Sequence, residues 1–320
     1  MLPHLRIAWE RNKKMNDFIS LHDCTKEEVE NLLKLAVKLK KELKEGVPHP
    51  ILKGKTLGMI FSKSSTRTRV SFEVGMVQLG GYPLFLSSHD IQLGRGETVH
   101  DTAKVLERYL DGIMIRTFAH QDVLDLAKYA DIPIINALTD LLHPCQVLAD
   151  LQTVYEKKGK LEGLKLAYIG DGNNMAHSLM YGCAKAGLDC AIAAPKNYMP
   201  DDEIVQNAKD DFNKSGKSLI ITEDPKEAIK NADVVYTDTW VSMGMEAEKE
   251  ERIKVFMPYQ VNSELMKDAK EDAIFLHCLP AYRGYEVTED VIDGAQSAIF
   301  DEAENRLHAQ KAVMATLMAD

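Results

Sequence analysis

"KTLGMIFSKSSTRTRVSFEVGMVQLGGYPLFLS", Lys55 to Ser87, decides the fold. The run "KTLGMIFSK" reads as a strand, "RVSFEVGMVQLGG" as a helix closed by glycine, and "YPLFLS" as a second strand. A helix between two strands carries the chain back over the sheet, so the strands lie parallel and the crossover is right-handed. The polar stretch "SSTRTR" falls where the first strand ends and the helix begins. A chain with a formal net charge of -10 has concentrated hydroxyls and guanidiniums there.

The same rhythm extends both ways. "TKEEVENLLKLAVKLKKELKEG" is a helix opened by a capping box, Thr25 with Glu28, and ended by Gly46 and Pro48. Val29, Leu32, Leu33, Ala36, Val37 and Leu43 fall at helical spacing. After "YPLFLS" come "TVHDTAKVLERYL" (helix), "DGIMIRTF" (strand), "QDVLDLAKYA" (helix), "IPIINAL" (strand) and the long helix "CQVLADLQTVYEKKG". The alternation then restarts with "LKLAYIGD" (strand), "NMAHSLMYGCAKAG" (helix), "LDCAIAAP" (strand), "DEIVQNAKDDFNKSG" (helix) and "SLIITED" (strand). "PKEAIKNA" is a short helix, and "DVVYTDTW" and "AIFLHCL" are strands. The closing "AENRLHAQKAVMATLMAD" is helical. The predicted fold class is α/β, in two domains, each a mainly parallel sheet flanked by helices. The predicted boundary lies near Thr153, giving residues 1–153 and 154–304, with a C-terminal helix over 305–320 crossing back to the first domain. A length of 320 residues suits two cores better than one.

Composition narrows the function. Hydrophobic residues are 45% and charged residues 28%, the profile of a soluble globular chain. The acidic balance argues against nucleic acid, whose phosphates need a basic surface. No apolar run approaches membrane-spanning length. Five cysteines, none in CxxC spacing, point to a reducing, cytoplasmic setting. The opening "MLPHLRIAWERNKKMN" lacks the apolar core of a signal peptide. It reads as a short extension that docks on a neighbour or frays, with Met15 as an alternative start.

The free N–H groups and positive dipole end of a helix hold anions. At "SSTRTR", Ser65, Thr66 and Thr68 add hydroxyls, and Arg67 adds a planar fork matched to phosphate oxygens. The alternative is an ordinary capped helix with Arg69 paired to Glu73 on its surface. Further donors at other strand ends weaken that alternative: Arg116 ends "DGIMIRTF", and His143 and Gln146 follow "IINALTDLL". In an open parallel sheet these ends line one crevice.

In the second half, "KLAYIGDGNNMAHSL" places Gly170-x-Gly172 between a strand and a helix. A dinucleotide site is discounted. Met175 stands where the third glycine belongs, Asp171 would face the pyrophosphate, and the next strand ends in "AAPKN" without an acid for the ribose. "DTWVSMG" (Asp238 to Gly244), "HCLP" (His277 to Pro280) and "ENRLH" with Arg306 are each, alone, ordinary structural stretches. His277 and Cys278 are not a nucleophilic pair, because neighbours on a strand point to opposite faces.

Taken together and in order, "FSKSSTRTR", "HPCQVLADLQT" (His143 to Thr153), "DTWVSMG" and "HCLPA" closely resemble the ornithine carbamoyltransferases, from about Asn16 to the end of the chain. Aspartate carbamoyltransferases share the phosphate motif but lack "SMG" and the cysteine. Putrescine carbamoyltransferases lack the "SMG" loop. Acetylornithine relatives typically replace the threonine that stands here as Thr66. The resemblance implies transfer of a carbamoyl group from carbamoyl phosphate to the δ-amine of L-ornithine, with no metal and no cofactor. It implies that Ser65, Thr66, Arg67, Thr68 and Arg116 hold the phosphate. His143 and Gln146 would hold the carbamoyl group, helped by the Cys278–Leu279 backbone and Arg306. Asn174, Asp238, Ser242 and Met243 would bind ornithine, with Arg116, His143, Cys278 and Asp238 as the catalytic set. The first domain would then bind carbamoyl phosphate and the second ornithine. The resemblance further implies a homotrimer, or a dodecamer of trimers, in which Gln92 reaches a neighbour's site. The competing readings are a carbamoyltransferase for putrescine or another amine, and a non-catalytic paralogue.

Overall fold

The computed structural model describes residues 15–88, 90–92, 96–242, 244 and 246–320. Met243, expected at the ornithine site, and the first fourteen residues, expected to dock on a neighbour or fray, lie outside the described residues. The first helix, α1 (Lys26–Lys44), carries the predicted capping box on Thr25 and Glu28. It is followed by β1 (Thr56–Phe61), α2 (Thr66–Gln78), β2 (Tyr82–Ser87), α3 (Val99–Leu106), β3 (Gly112–Arg116), α4 (His120–Tyr129) and β4 (Ile134–Leu138). These strands form a four-stranded sheet in the order β2-β1-β3-β4, and every pairing is parallel.

Helix α5 (Pro144–Lys158) follows, then β5 (Lys165–Ile169), α6 (Asn174–Ala186), β6 (Asp189–Ala193), α7 (Asp202–Ser215), β7 (Leu219–Thr222), α8 (Pro225–Ile229) and β8 (Val234–Tyr236). Helices α9 (Lys249–Phe256) and α10 (Ser263–Met266) precede β9 (Ile274–Leu276), and α11 (Glu289–Ile292) and α12 (Ile299–Met318) close the chain. The second sheet has five strands in the order β7-β6-β5-β8-β9, again all parallel. The α/β class with two helix-flanked parallel sheets is as the sequence predicts.

Differences lie in short elements. Helices α9 and α10 fall where no element is predicted, because α9, "KEERIKVF", buries only Arg252 and Phe256 and so shows no apolar stripe. Helix α12 begins at Ile299, a turn before the predicted start, since Ile299 and Glu302 are already buried. On α1, Leu39 and Lys40 are buried, whereas Val37 and Leu43 are half-buried.

Helix α5 runs unbroken through Thr153 and carries the chain from one sheet toward the other. Eleven of its residues, Pro144 to Val154, are buried without interruption. Such a helix is covered on all sides. Helix α12 packs against α1, α2 and α5. Lys40 of α1 joins them, donating to Asn305 Oδ1 and Glu156 Oε2 at 2.7 Å each. At Gly182 of α6, an added Cβ would lie 2.4 Å from Val147 Cγ1 of α5. The missing side chain is what lets these two helices meet. One apolar core therefore continues from Phe18 to Met318 across both halves.

Candidate active site

Each sheet has one topological switch point. In the first, β1 connects outward to β2 and β3 lies on its other side. In the second, β5 connects to β6 and β8 lies on its other side. Ligand crevices open at the strand C-termini of such points. The first switch point presents the residues after Phe61 together with Arg116, which are register partners. The second presents Gly170 to Asn174 and Thr237 to Asp238, after β5 and β8.

At the first switch point Ser65 caps α2, its Oγ accepting from Thr68 N at 3.2 Å. Thr66 is exposed at the first helical position, and Arg67 is half-buried beside it. Arg67 turns inward, donating from Nη2 to Leu279 O at 2.5 Å. Arg69 turns outward, pairs with Glu73 at 2.9 Å and stacks on Phe85. The surface pair of the capped-helix alternative thus exists, but Arg67 is not part of it.

Thr68 is buried, and its hydroxyl accepts from Arg306 Nη2 at 3.2 Å. Arg306 also donates from Nη1 to Gln146 Oε1 at 2.6 Å. Arg116, only 6% exposed, is pushed down to about 10 by burial and by the charges of Arg306 and Arg67. His143 is buried, and desolvation followed by the same three arginines holds its imidazole well below the ordinary range. It is therefore neutral at pH 7. Arg116 Nε and His143 Nδ1 are buried without a partner among the described residues. Three cations and a neutral imidazole thus converge at a helix N-terminus, an arrangement suited to an anion with a polarised carbonyl.

At the second switch point Asp238 is buried and accepts from three donors. Asn173 Nδ2 lies at 3.0 Å, Cys278 Sγ at 3.1 Å and Thr239 N at 2.7 Å. Burial, then the charge of Asp238, raises the Cys278 thiol well above its ordinary value. Cys278 therefore donates as a thiol, and a thiolate base is not its resting state. His277 sits behind it, with Nδ1 accepting from Leu279 N at 2.9 Å and Nε2 against Glu286 Oε1 at 3.3 Å. Asp238, His277 and Cys278 bring three potential ligand atoms within 4.8 Å of one another. With both His277 nitrogens engaged, the cluster serves hydrogen bonding rather than a metal. Leu279 adopts φ 57°, a left-handed conformation rare outside glycine. It turns the Leu279 carbonyl to Arg67 and so ties the first switch point to the segment after β9, whose Cys278 is bonded to Asp238.

Of the two glycines in the Gly170–Gly172 turn, Gly172 has a packing role. A Cβ on Gly172 would lie 2.2 Å from Pro200 N, and its N–H donates to Tyr198 O at 2.8 Å. Asp171 is paired with Arg252, which also donates from Nε to Trp240 O at 2.5 Å. The backbone approached is the protein's own, consistent with discounting a dinucleotide.

Ser242 is half-buried in the loop after Trp240, and Gln92 is exposed after β2. Asn174 Nδ2 donates to Thr139 O at 2.7 Å, while its neighbour Asn173 touches Asp238. Sequence reasoning missed Asn173, although its place as N-cap of α6 was a signal. It also missed Ser178, whose Oγ accepts from His143 N at 2.7 Å, and Asp150, Tyr236 and Glu302, which surround Gln146. Acidic residues on helices read as solvated faces, so nothing in the one-dimensional pattern marked those two.

Two family profiles cover nearly the whole chain. The carbamoyl-P binding domain of aspartate/ornithine carbamoyltransferase matches residues 16–156. Its Asp/Orn binding domain matches residues 162–317. The chain is 64% identical over 300 residues to an ornithine carbamoyltransferase of Caldicellulosiruptor saccharolyticus, covering 94% of this chain and 97% of that protein. It is 59% identical over 302 residues to one of Thermococcus kodakarensis, covering 94% and 96%. The solved ornithine carbamoyltransferase from Pyrococcus furiosus superposes with a TM-score of 0.92 at 55% identity, covering 95% of this chain and 97% of that one.

Proposed function

The chain belongs to the aspartate/ornithine carbamoyltransferase family, and we propose that the crevice between its two switch points is where it works. It transfers the carbamoyl group of carbamoyl phosphate to the δ-amine of L-ornithine, giving L-citrulline and phosphate. The observation that carries this reading is the convergence of Arg67, Arg116 and Arg306 on neutral His143, opposite the carboxylate of Asp238.

We assign the phosphate to Ser65, Thr66, Arg67, Thr68 and Arg116, and the carbamoyl group to His143, Gln146, Arg306 and the Cys278–Leu279 backbone. The half holding β1 to β4 then binds carbamoyl phosphate, with α12 packed on it, and the half holding β5 to β9 binds ornithine. Asp238, Asn174, Ser242 and Met243 take ornithine, and Asn173 joins them through Asp238. The uncharged δ-nitrogen attacks the carbonyl carbon, and the C–O bond to phosphate breaks. Arg116 and His143 meet the charge developing on the carbonyl oxygen. Arg67 and the α2 N-terminus meet the charge on the leaving phosphate. As the C–O bond breaks, the departing phosphate carries three negative charges; it takes the proton the nitrogen loses and leaves as the dianion HPO4(2−), so Cys278 orients the amine as a thiol.

No helix among the described residues is long and apolar enough to cross a membrane. With five free cysteines, this supports a cytoplasmic enzyme. A trimer, or trimers gathered into a dodecamer, is supported by the outer face of α2 and the edge strand β2. Val70, Val74, Val77, Tyr82 and Leu84 are exposed there, between 37% and 63%, and the chain runs on from β2 to Gln92. Apolar side chains so grouped want a partner.

The test is formation of the ureido product by purified protein with carbamoyl phosphate, using ornithine (citrulline), putrescine (N-carbamoylputrescine) and aspartate (N-carbamoyl-aspartate) as acceptors. Ornithine-dependent turnover with the other amines far behind is the expected result. Preference for putrescine, or no turnover at all, overturns the reading.

A further inference from the structure

Behind the arginine cluster lies a buried acidic pair that the reaction does not call on directly. Asp150 on α5 and Glu302 on α12 are both fully buried. Gln146 Nε2 donates to Asp150 Oδ1 at 2.8 Å and to Glu302 Oε1 at 3.1 Å, so one amide nitrogen holds both carboxyls. Glu302 Oε1 also accepts from Tyr236 OH at 3.0 Å, and Oε2 accepts from His277 N at 2.8 Å. Both Glu302 oxygens are therefore acceptors. Asp150 Oδ2 is buried and has no donor among the described residues. Two adjacent carboxylates here would place two charges against one nearby cation, Arg306. A proton on Asp150 Oδ2 directed at Glu302 satisfies every oxygen and leaves one negative charge beside that guanidinium.

We propose that Asp150 and Glu302 share a single proton and, as a positioning pair, hold the Gln146 amide with its oxygen toward the carbamoyl subsite. Gln146 then accepts from the –NH2 of the acyl donor and selects a carbamoyl over an acetyl phosphate. Only this amide orientation fits, because Nε2 faces the two carboxyls while Oε1 faces Arg306 Nη1 at 2.6 Å. Burial acts in the same direction, pushing Asp150 up to about 7 and raising Glu302 well above its ordinary value. The other titratable groups facing the pair are Tyr236 on β8, Cys278 after β9 and Cys183 on α6. The inference rests on the assignment of Gln146 to the carbamoyl group.

The test compares carbamoyl phosphate with acetyl phosphate, in which CH3 replaces NH2, as ligands of wild type, Glu302→Gln and Asp150→Asn. A glutamine at 302 must turn its NH2 toward Gln146 and Tyr236, or toward His277 N–H. The His277 N–H is a backbone donor that cannot turn away, so the NH2 goes to the Gln146 side, and Gln146 escapes by rotating its nitrogen outward. Glu302→Gln is expected to lower the ratio of carbamoyl to acetyl phosphate affinity by roughly tenfold or more, with acetyl phosphate binding little changed. Asp150→Asn can donate to Glu302 as the shared proton does, and is expected to hold the wild-type ratio within about threefold. Infrared difference spectra of wild type against Asp150→Asn should show one protonated-carboxyl band, absent from the variant at pH 7. That readout stands even if Glu302→Gln yields no folded protein. Equal loss of both ligands, equal damage from both variants, or no such band overturns the proposal. Failure of wild type to bind carbamoyl phosphate would instead overturn the functional reading on which it rests.

Discussion

Replacing Asp238 by asparagine removes a charge without removing volume, and the surroundings make its cost calculable. Asp238 Oδ2 accepts from Asn173 Nδ2 at 3.0 Å, while Oδ1 accepts from Cys278 Sγ and Thr239 N at 3.1 Å and 2.7 Å. An asparagine keeps one acceptor, which the two donors on Oδ1 claim, so its NH2 faces the NH2 of Asn173. Asn173 cannot simply turn over. Its Oδ1 caps α6, accepting from Met175 N at 2.9 Å and Ala176 N at 3.3 Å. Either the cap is lost, at about 1 kcal/mol, or a donor is left unpaired, at roughly 1–3 kcal/mol. Ornithine loses in addition a charge-assisted hydrogen bond, about 1.5–3 kcal/mol, or roughly tenfold to a hundredfold in affinity. Carbamoyl phosphate is assigned to the other switch point and should bind nearly as before. Calorimetry with carbamoyl phosphate alone, and kinetics with ornithine varied at saturating carbamoyl phosphate, separate the two. Equal weakening of carbamoyl phosphate would refute the division of the site between the two halves.

Arg67→Ala should cut turnover by ~10²-fold or more while a urea melt moves little, and Arg67→Lys should rescue poorly because a point charge cannot make the paired contact; a folded, near-normal Arg67→Ala enzyme would sink the phosphate assignment. Lys311 is buried against His49 and Gln78, and burial pushes its ammonium down from 10.5 to about 8. Between those values the unfolded chain binds more protons than the native one, so this group's contribution to stability rises with pH across the window. The gap between wild-type and Lys311→Met urea midpoints should accordingly shift in favour of wild type from pH 8 to 10.5, and a gap that stays level contradicts the burial argument. If Gln92 serves a neighbour's site, poorly active Arg67→Ala and Gln92→Ala trimers, dissociated and mixed equally, should regain about a quarter of wild-type activity. Hybrids that stay at parental levels despite proven subunit exchange would place Gln92 elsewhere.

Much of this protein was legible in one dimension because local rules were obeyed. Strand, helix and strand between Lys55 and Ser87 dictate parallel pairing, and the Thr25–Glu28 capping box marks the first helix to the residue. Arg116, His143 and Gln146 could be singled out because strand ends of a parallel sheet face one crevice, whatever the details of packing; Asp238 and Cys278 stood out only through the family resemblance. What no pattern held was which groups meet across the two sheets. Arg67 reaches Leu279 O over 212 positions of sequence, and Gln146 reaches Glu302 over 156. Asp150 and Glu302 have the spacing and charge of surface residues, and only the packing of α12 on α5 buries them. Asn173 and Asn174 are adjacent and chemically alike, yet one holds Asp238 and the other a backbone carbonyl. Asn173 is the extended N-cap and Asn174 the first helical residue, so their side chains leave in different directions, and which direction holds the carboxylate is decided by where β8 ends. The sequence determined the elements and the chemical types at the strand ends. The tertiary structure decided their pairing, and with it which groups are charged, because desolvation and neighbouring charge depend on distances that the order of residues does not contain.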